Sequence, residues 1–113
     1  MREVIKVFRS LSDGTRIRML KILLEKDSLC VCEVMQSLNI SQTRASRNLG
    51  ILEEAGFVMS ERRGAWVHYS INRSSANEYC KSIEELIRGW LNKDTKIRED
   101  RKRLSKAVKL GEK

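Results

Sequence analysis

A chain of 113 residues with 23 basic and 15 acidic side chains, a formal charge of +8, is sized for one domain rather than two. Its longest apolar run is Leu29-Cys30-Val31-Cys32, far short of the about 20 residues of a spanning helix. The opening MREVIKVFRS lacks the apolar stretch of a signal peptide, so no membrane partner and a cytoplasmic location are expected.

At 41% apolar and 34% charged the composition is globular, and only 5% is aromatic, so the core must be aliphatic and modest, of the kind a second subunit supports. Proline is absent, so glycine and small polar residues punctuate the chain. Val4, Val7, Phe8 and Leu11 repeat at helical spacing and predict a first helix. Ser12-Asp13-Gly14 breaks it, and Ser12 or Asp13 can cap a second helix with Ile17, Leu20, Leu23 and Leu24 on one face. Val31, Val34, Met35 and Leu38 mark a short third helix, and Asn39-Ile40 a tight turn. Ser41 then caps a fourth helix that buries Ala45, Leu49, Leu52 and Ala55 and ends at Gly56.

From Phe57 the period changes. Residues 58–62 and 65–71 read as two strands joined at Arg63-Gly64, a hairpin with a basic tip. Ser74 or Ser75 can cap a last helix with Tyr79, Ile83, Leu86, Ile87 and Trp90 on one face, a stripe too apolar to leave wet. Beyond Asn92, Ile97, Leu104 and Val108 keep only a loose helical spacing. Residues 1–92 are therefore expected to form the domain, and residues 93–113 a basic tail, helical or partly disordered, that holds +5 of the charge. The order of elements, α-α-α-α-β-β-α, is that of a mostly α winged helix-turn-helix.

That order gives a residue-level expectation for double-stranded DNA. With Ala45, Leu49 and Leu52 turned inward, Gln42, Thr43, Ser46 and Arg47 face outward and Arg44 lies near the boundary. Gln and Arg can pair bidentately with adenine and guanine edges, Ser and Thr can reach phosphate or base, and free N–H groups at a helix start favour phosphate. Arg62 and Arg63, with Trp66 and His68 nearby, belong to the wing, where arginine can enter a minor groove or hold phosphate. The basic tail adds attraction without sequence preference.

With these residues in hand, the chain resembles the ArsR/SmtB family of metalloregulatory repressors over roughly residues 3–92. The resemblance rests on five stretches in order. They are Leu11-Ser12-Asp13-Gly14-Thr15-Arg16-Ile17-Arg18-Met19-Leu20, Leu29-Cys30-Val31-Cys32-Glu33-Val34, Ser41 to Leu49, Leu52 to Val58, and Arg63 to Ile71. Cys30-Val31-Cys32 is similar to the arsenite-sensing branch. Gly14 stands where the family usually has proline, Asn48 where it often has histidine, and Gly50 where it has a larger residue. The resemblance implies a homodimeric repressor of its own resistance genes, released from an imperfect palindrome by its inducer. It implies pairing through the first and last helices, hence through Val4, Val7, Phe8, Tyr79, Ile83, Leu86, Ile87 and Trp90.

Thiolate sulfur is soft and suits As(III), Sb(III) and other thiophilic ions. Cys30 and Cys32 lie at a helix start, which favours thiolate. On an intact helix, positions two apart point about 200° from each other. An ion held by both is therefore expected to unwind the start of the third helix, shift the helix-turn-helix and weaken DNA binding. As(III) prefers three sulfurs; the resemblance implies a third cysteine three residues beyond Cys32, and here that position is Met35, a poor partner. Three arrangements stay open: two cysteines with a solvent or small-thiol ligand, completion by Cys80, or a different ion. Cys80 shares a face with Ile83 and Ile87 and also reads as a buried apolar residue.

Of the other sites that the resemblance to the family implies, no cysteine precedes residue 30, against the cadmium or lead sites that recruit N-terminal thiols, and the last helix has no histidine, against a zinc site between the dimer's last helices. A second function keeps the fold but senses oxidation or persulfide through Cys30, Cys32 and Cys80. An enzyme is not expected: there is no Cys-x-x-Cys on a βαβ unit, no general-base histidine beside the thiols and no phosphate loop, so no catalytic cofactor is expected.

Overall fold

A computed structural model describes residues 1–74 and 77–109. In chain order the elements are α1 (Arg2–Ser10), α2 (Gly14–Leu23), β1 (Leu29–Cys30), α3 (Val31–Leu38), α4 (Gln42–Ala55), β2 (Val58–Arg63), β3 (Trp66–Ile71), α5 (Glu78–Arg88) and α6 (Thr95–Lys106). Among the described residues no helix is long and apolar enough to cross a membrane.

The caps read from sequence form as local chemistry requires. Asp13 accepts from the Thr15 and Arg16 N–H groups, Ser41 from the Arg44 N–H, and Gly56 takes φ 101 at the end of α4. Asn39, at φ 56, ends α3 in the left-handed region and turns the chain into α4. Met19, Leu20, Ile22 and Leu23 of α2, Val34 and Leu38 of α3, and Ala45, Leu49 and Leu52 of α4 meet Phe57 in one aliphatic core. Full burial of each larger side chain contributes about 1.5–3 kcal/mol.

Six features differ from the sequence expectation. Leu29 and Cys30 form a third strand, pairing Leu29 with Tyr69 and Cys30 with His68, so the sheet order is β1-β3-β2. Two residues carry too little periodicity to announce a strand; the pairing is set by β3. The hairpin loop is Gly64-Ala65, since Arg63 and Trp66 are paired, and Gly64 takes φ 62. The cap of α5 is Asn77, accepting from the Tyr79 N–H, while Ser74 donates to Asn72; Ser75 lies outside the described residues. Trp90 falls past the end of α5. Val7 and Ile87, expected on a pairing face, lie in the protomer's own core, whereas Phe8, Leu86 and Trp90 are more than half exposed.

The sixth difference is α6. Ile97, Asp100 and Leu104, spaced three and four apart, are buried against α2 and α3. Part of the charge assigned to a solvated tail is thus fixed in the fold. Asp100 is fully buried and takes two bonds from Arg18 and one from Arg103. Lys21 is also buried. Its ammonium donates to the carbonyls of Ile87 and Trp90 and to Asn92 Oδ1 at 2.7–2.9 Å, capping the end of α5. Burial pushes its pKa down.

Glu84 on α5 gives a prediction. Its carboxyl is 7% exposed, and Oε1 has no hydrogen-bond partner. Burial pushes its pKa up to about 6, against the opposing pull of Arg88, Arg73 and Lys81. A raised carboxyl pKa favours the folded state when protonated, so its contribution is fully present below about pH 4.5 and lost as pH rises through 6. Glu84→Gln is therefore expected to stabilise the protein by about 1–2 kcal/mol at pH 8 and hardly at all at pH 4.5, read from urea unfolding at both pH values.

Candidate functional site

The Asn39 turn places α3 and α4 as a helix-turn-helix, and the hairpin of β2 and β3 flanks it. On α4, Gln42, Thr43, Arg44, Ser46 and Arg47 are all exposed, while Ala45, Leu49 and Leu52 are buried. The same α4 periodicity that fills the core thus presents five polar side chains on the outer face. Arg44 is partly committed, since its Nη2 donates to Thr15 Oγ1 at 3.0 Å. Asn48 is buried rather than outward: its Oδ1 accepts from Arg16 Nη1 at 2.7 Å and its Nδ2 donates to the Arg44 carbonyl. Arg16 and Asn48 therefore lock α2 to α4, a pairing that helical periodicity alone does not reveal.

Arg62 and Arg63 are exposed at the end of β2, Arg63 lying 3.6 Å from Glu61. His68 and Trp66 alternate with Val67 along β3. His68 is buried, stands in register with Cys30, and leaves Nδ1 without a hydrogen-bond partner among the described residues.

The structure brings Cys30 and Cys32 together as a disulfide with a Cα–Cα separation of 5.4 Å. The expectation that both sit on one helix does not hold. Cys30 is the N-cap of α3 with extended dihedrals, φ −79 and ψ 161, and its N–H donates to Glu33 Oε1 at 2.9 Å. Only Cys32 is inside the helix. The two side chains leave from backbone of different geometry, so their sulfurs converge without unwinding α3. Cys30 is fully buried and Cys32 is 7% exposed.

Cys80 is not part of this pair. It is a buried free thiol whose Sγ donates to the Ala55 carbonyl at 3.4 Å, and burial pushes its pKa up to about 12. Among the described residues no three His, Cys, Asp or Glu side chains gather as a metal site. The donor set is thus two convergent sulfurs. It suits a soft ion able to use two thiolates, and a disulfide from Cys80 to Cys30 or Cys32 is not formed.

Residues 13–60 match the model of the bacterial regulatory protein arsR family. The arsenic resistance transcriptional regulator ArsR1 of Pseudomonas putida is 36% identical over 100 residues, covering 83% of this chain and 78% of the relative. The arsenical resistance operon repressor of Escherichia coli is 36% identical over 84 residues, covering 74% of this chain and 72% of the relative. The homodimeric winged helix-turn-helix DNA-binding domain from Mycobacterium bovis superposes with a TM-score of 0.65 at 27% identity, covering 76% of this chain and 75% of that one. This chain belongs to the ArsR family and is a winged helix-turn-helix, DNA-binding transcriptional regulator, not an enzyme.

Proposed function

We propose that the protein is a homodimeric repressor of a metalloid-resistance operon, released from its operator when As(III) or Sb(III) bonds to the Cys30 and Cys32 thiolates of the reduced chain. The observation that carries the reading is where the two sulfurs meet. Cys30 belongs to β1, which is paired to the wing strand β3, and Cys32 belongs to α3, the first helix of the helix-turn-helix. An ion held by both couples the wing to α3 and needs no third protein ligand if solvent or a small thiol completes it. Such an inducer need favour the released state by only a few kcal/mol. The names borne by the Pseudomonas and Escherichia relatives agree with this reading.

Dimerisation is supported by apolar side chains left exposed on neighbouring helices. Phe8 on α1 and Tyr79, Leu86 and Trp90 on or beside α5 are exposed, with Val4 and Ile83 half-buried beside them. A twofold pairing there gives two α4 helices, and DNA half-sites one helical turn apart, about 34–36 Å, would match them.

The test is a titration of the reduced protein on DNA from its own upstream region, followed by fluorescence anisotropy. Micromolar arsenite is expected to release the DNA, and an affinity indifferent to arsenite would overturn the reading. The disulfide favours a second one, in which oxidation closes Cys30 onto Cys32. Release by peroxide or polysulfide with no metalloid response would select it.

Gln42→Ala and Arg47→Ala are each expected to weaken specific binding by about 1–3 kcal/mol and to relax base preference at one position. Arg62→Ala and Arg63→Ala should instead weaken all sequences evenly and flatten the salt dependence by about one unit of log–log slope each. Competition binding across salt concentrations separates the two classes.

A further inference from the structure

Cys32 opens onto a cleft of about 460 Å³ between α3, the start of α4 and the wing. Its apolar wall is Val31, Met35, Trp66 and Tyr69, and its rim carries Gln42, Ser46 and Arg62. The four wall residues are all half-buried, so the cleft is accessible but largely shielded. A cavity of about 150 Å³ accepts benzene, so an aromatic ring fits this space with room to spare. Apolar walls with a few polar groups at the mouth are the usual make-up of a small-molecule site. Met35 offers a thioether and Trp66 an indole, both of which pack well on aryl rings.

The thiol pair supplies the other half of the inference. Trivalent arsenic has three valences, and the described residues bring only two cysteine sulfurs to it. An arsenical with one carbon substituent uses two thiolates and has no third bond to fill. Its substituent must then point away from both sulfurs, and the space beside Cys32 is this cleft.

We infer that the Cys30–Cys32 pair and the adjoining cleft form one site for a monosubstituted trivalent arsenical with an aromatic substituent. The inference rests on the proposed thiol chemistry and names its ligand class. In the dithiol form, which a thiol reductant such as glutathione generates from the disulfide, R–As(OH)₂ exchanges two As–O bonds for two As–S bonds. The two thiol protons leave with the two hydroxides as water, and arsenic stays trivalent. The ring then lies among Gln42, Ser46 and Arg62, between α4 and the wing, so such a ligand disturbs the DNA-reading face by its bulk as well as through the thiols.

The test compares phenylarsonous acid, methylarsonous acid and arsenite binding to the reduced full chain, with a Cys-x-Cys peptide as the reference for thiol chemistry alone. The protein is expected to favour phenyl over methyl at least tenfold more than the peptide does. Trp66→Ala should cut that margin to under threefold with methyl and arsenite binding unchanged, and Trp66→Phe should restore most of it. A phenyl preference no larger than the peptide's, or one that survives Trp66→Ala, overturns this inference and leaves the arsenite reading standing. Failure of all three arsenicals to bind removes both.

Discussion

Replacing Cys32 by serine is expected to raise the arsenite needed for half-release of the operator by at least about 100-fold, the loss of roughly 2.7 kcal/mol of inducer binding. DNA affinity without inducer should stay within about threefold of the parent. Serine keeps the size of the side chain but replaces a soft sulfur by a hard oxygen, so one of the two bonds to As(III) is lost. Cys30→Ser should behave alike for a further reason. Cys30 is the N-cap of α3 with extended dihedrals, a position where serine is among the preferred residues, and the Glu33 carboxylate bonds the backbone N–H of residue 30 whatever its side chain. The helix start is therefore preserved, and lost inducibility cannot be ascribed to a melted helix. Cys80→Ser is the contrasting variant. Its thiol bonds the Ala55 carbonyl in the core, so the substitution should leave the arsenite half-point unchanged. Retention of the full response in both Cys30→Ser and Cys32→Ser, measured by the same anisotropy titration, would remove the thiol pair as the sensor.

What the sequence made legible, and what it hid, follows from the range of the interactions. The caps at Asp13 and Ser41, the closing Gly56 and the inward Ala45, Leu49 and Leu52 are local, set by residues within one or two helical turns, and they orient the outward face of α4. The hairpin was legible from its alternation and its glycine. β1 was not, because Leu29 and Cys30 become a strand only through partners 38 or more residues away, Tyr69 and His68. That same non-local pairing moves Cys30 out of the helix and lets its sulfur meet that of Cys32. The Arg16–Asn48 bond and the Lys21 cap of α5 were hidden for the same reason. A sequence period reports which face is apolar and is silent on which buried polar groups find each other.

The most consequential hidden interaction predicts the largest stability loss. Asp100→Ala is expected to destabilise the protein by about 3–5 kcal/mol, the usual cost of removing one partner from a buried ion pair. Arg18 donates to Oδ2 through Nε and to Oδ1 through Nη2, both at 2.8 Å, and Arg103 adds a third bond at 3.0 Å. Asp100 is fully buried and the Arg18 side chain is 17% exposed, so removing the carboxylate strands a largely desolvated guanidinium. The same groups hold the end of α3: Arg18 donates to the Leu38 carbonyl, Arg103 to the Ser37 carbonyl, and Ser37 Oγ to the Asp100 carbonyl. The Ser37 and Leu38 carbonyls precede the Asn39 turn that aims α4, so α6 braces the helix-turn-helix at its hinge. Asp100→Asn keeps the shape and some hydrogen bonding and should cost less. Glu54→Ala is the surface reference, because its pairing with Lys6 at 3.4 Å is between exposed side chains and should be worth under about 1 kcal/mol. Urea midpoints with unchanged m-values decide the matter. A loss at Asp100→Ala no greater than at Glu54→Ala would mean that α6 lies on the domain without bracing it.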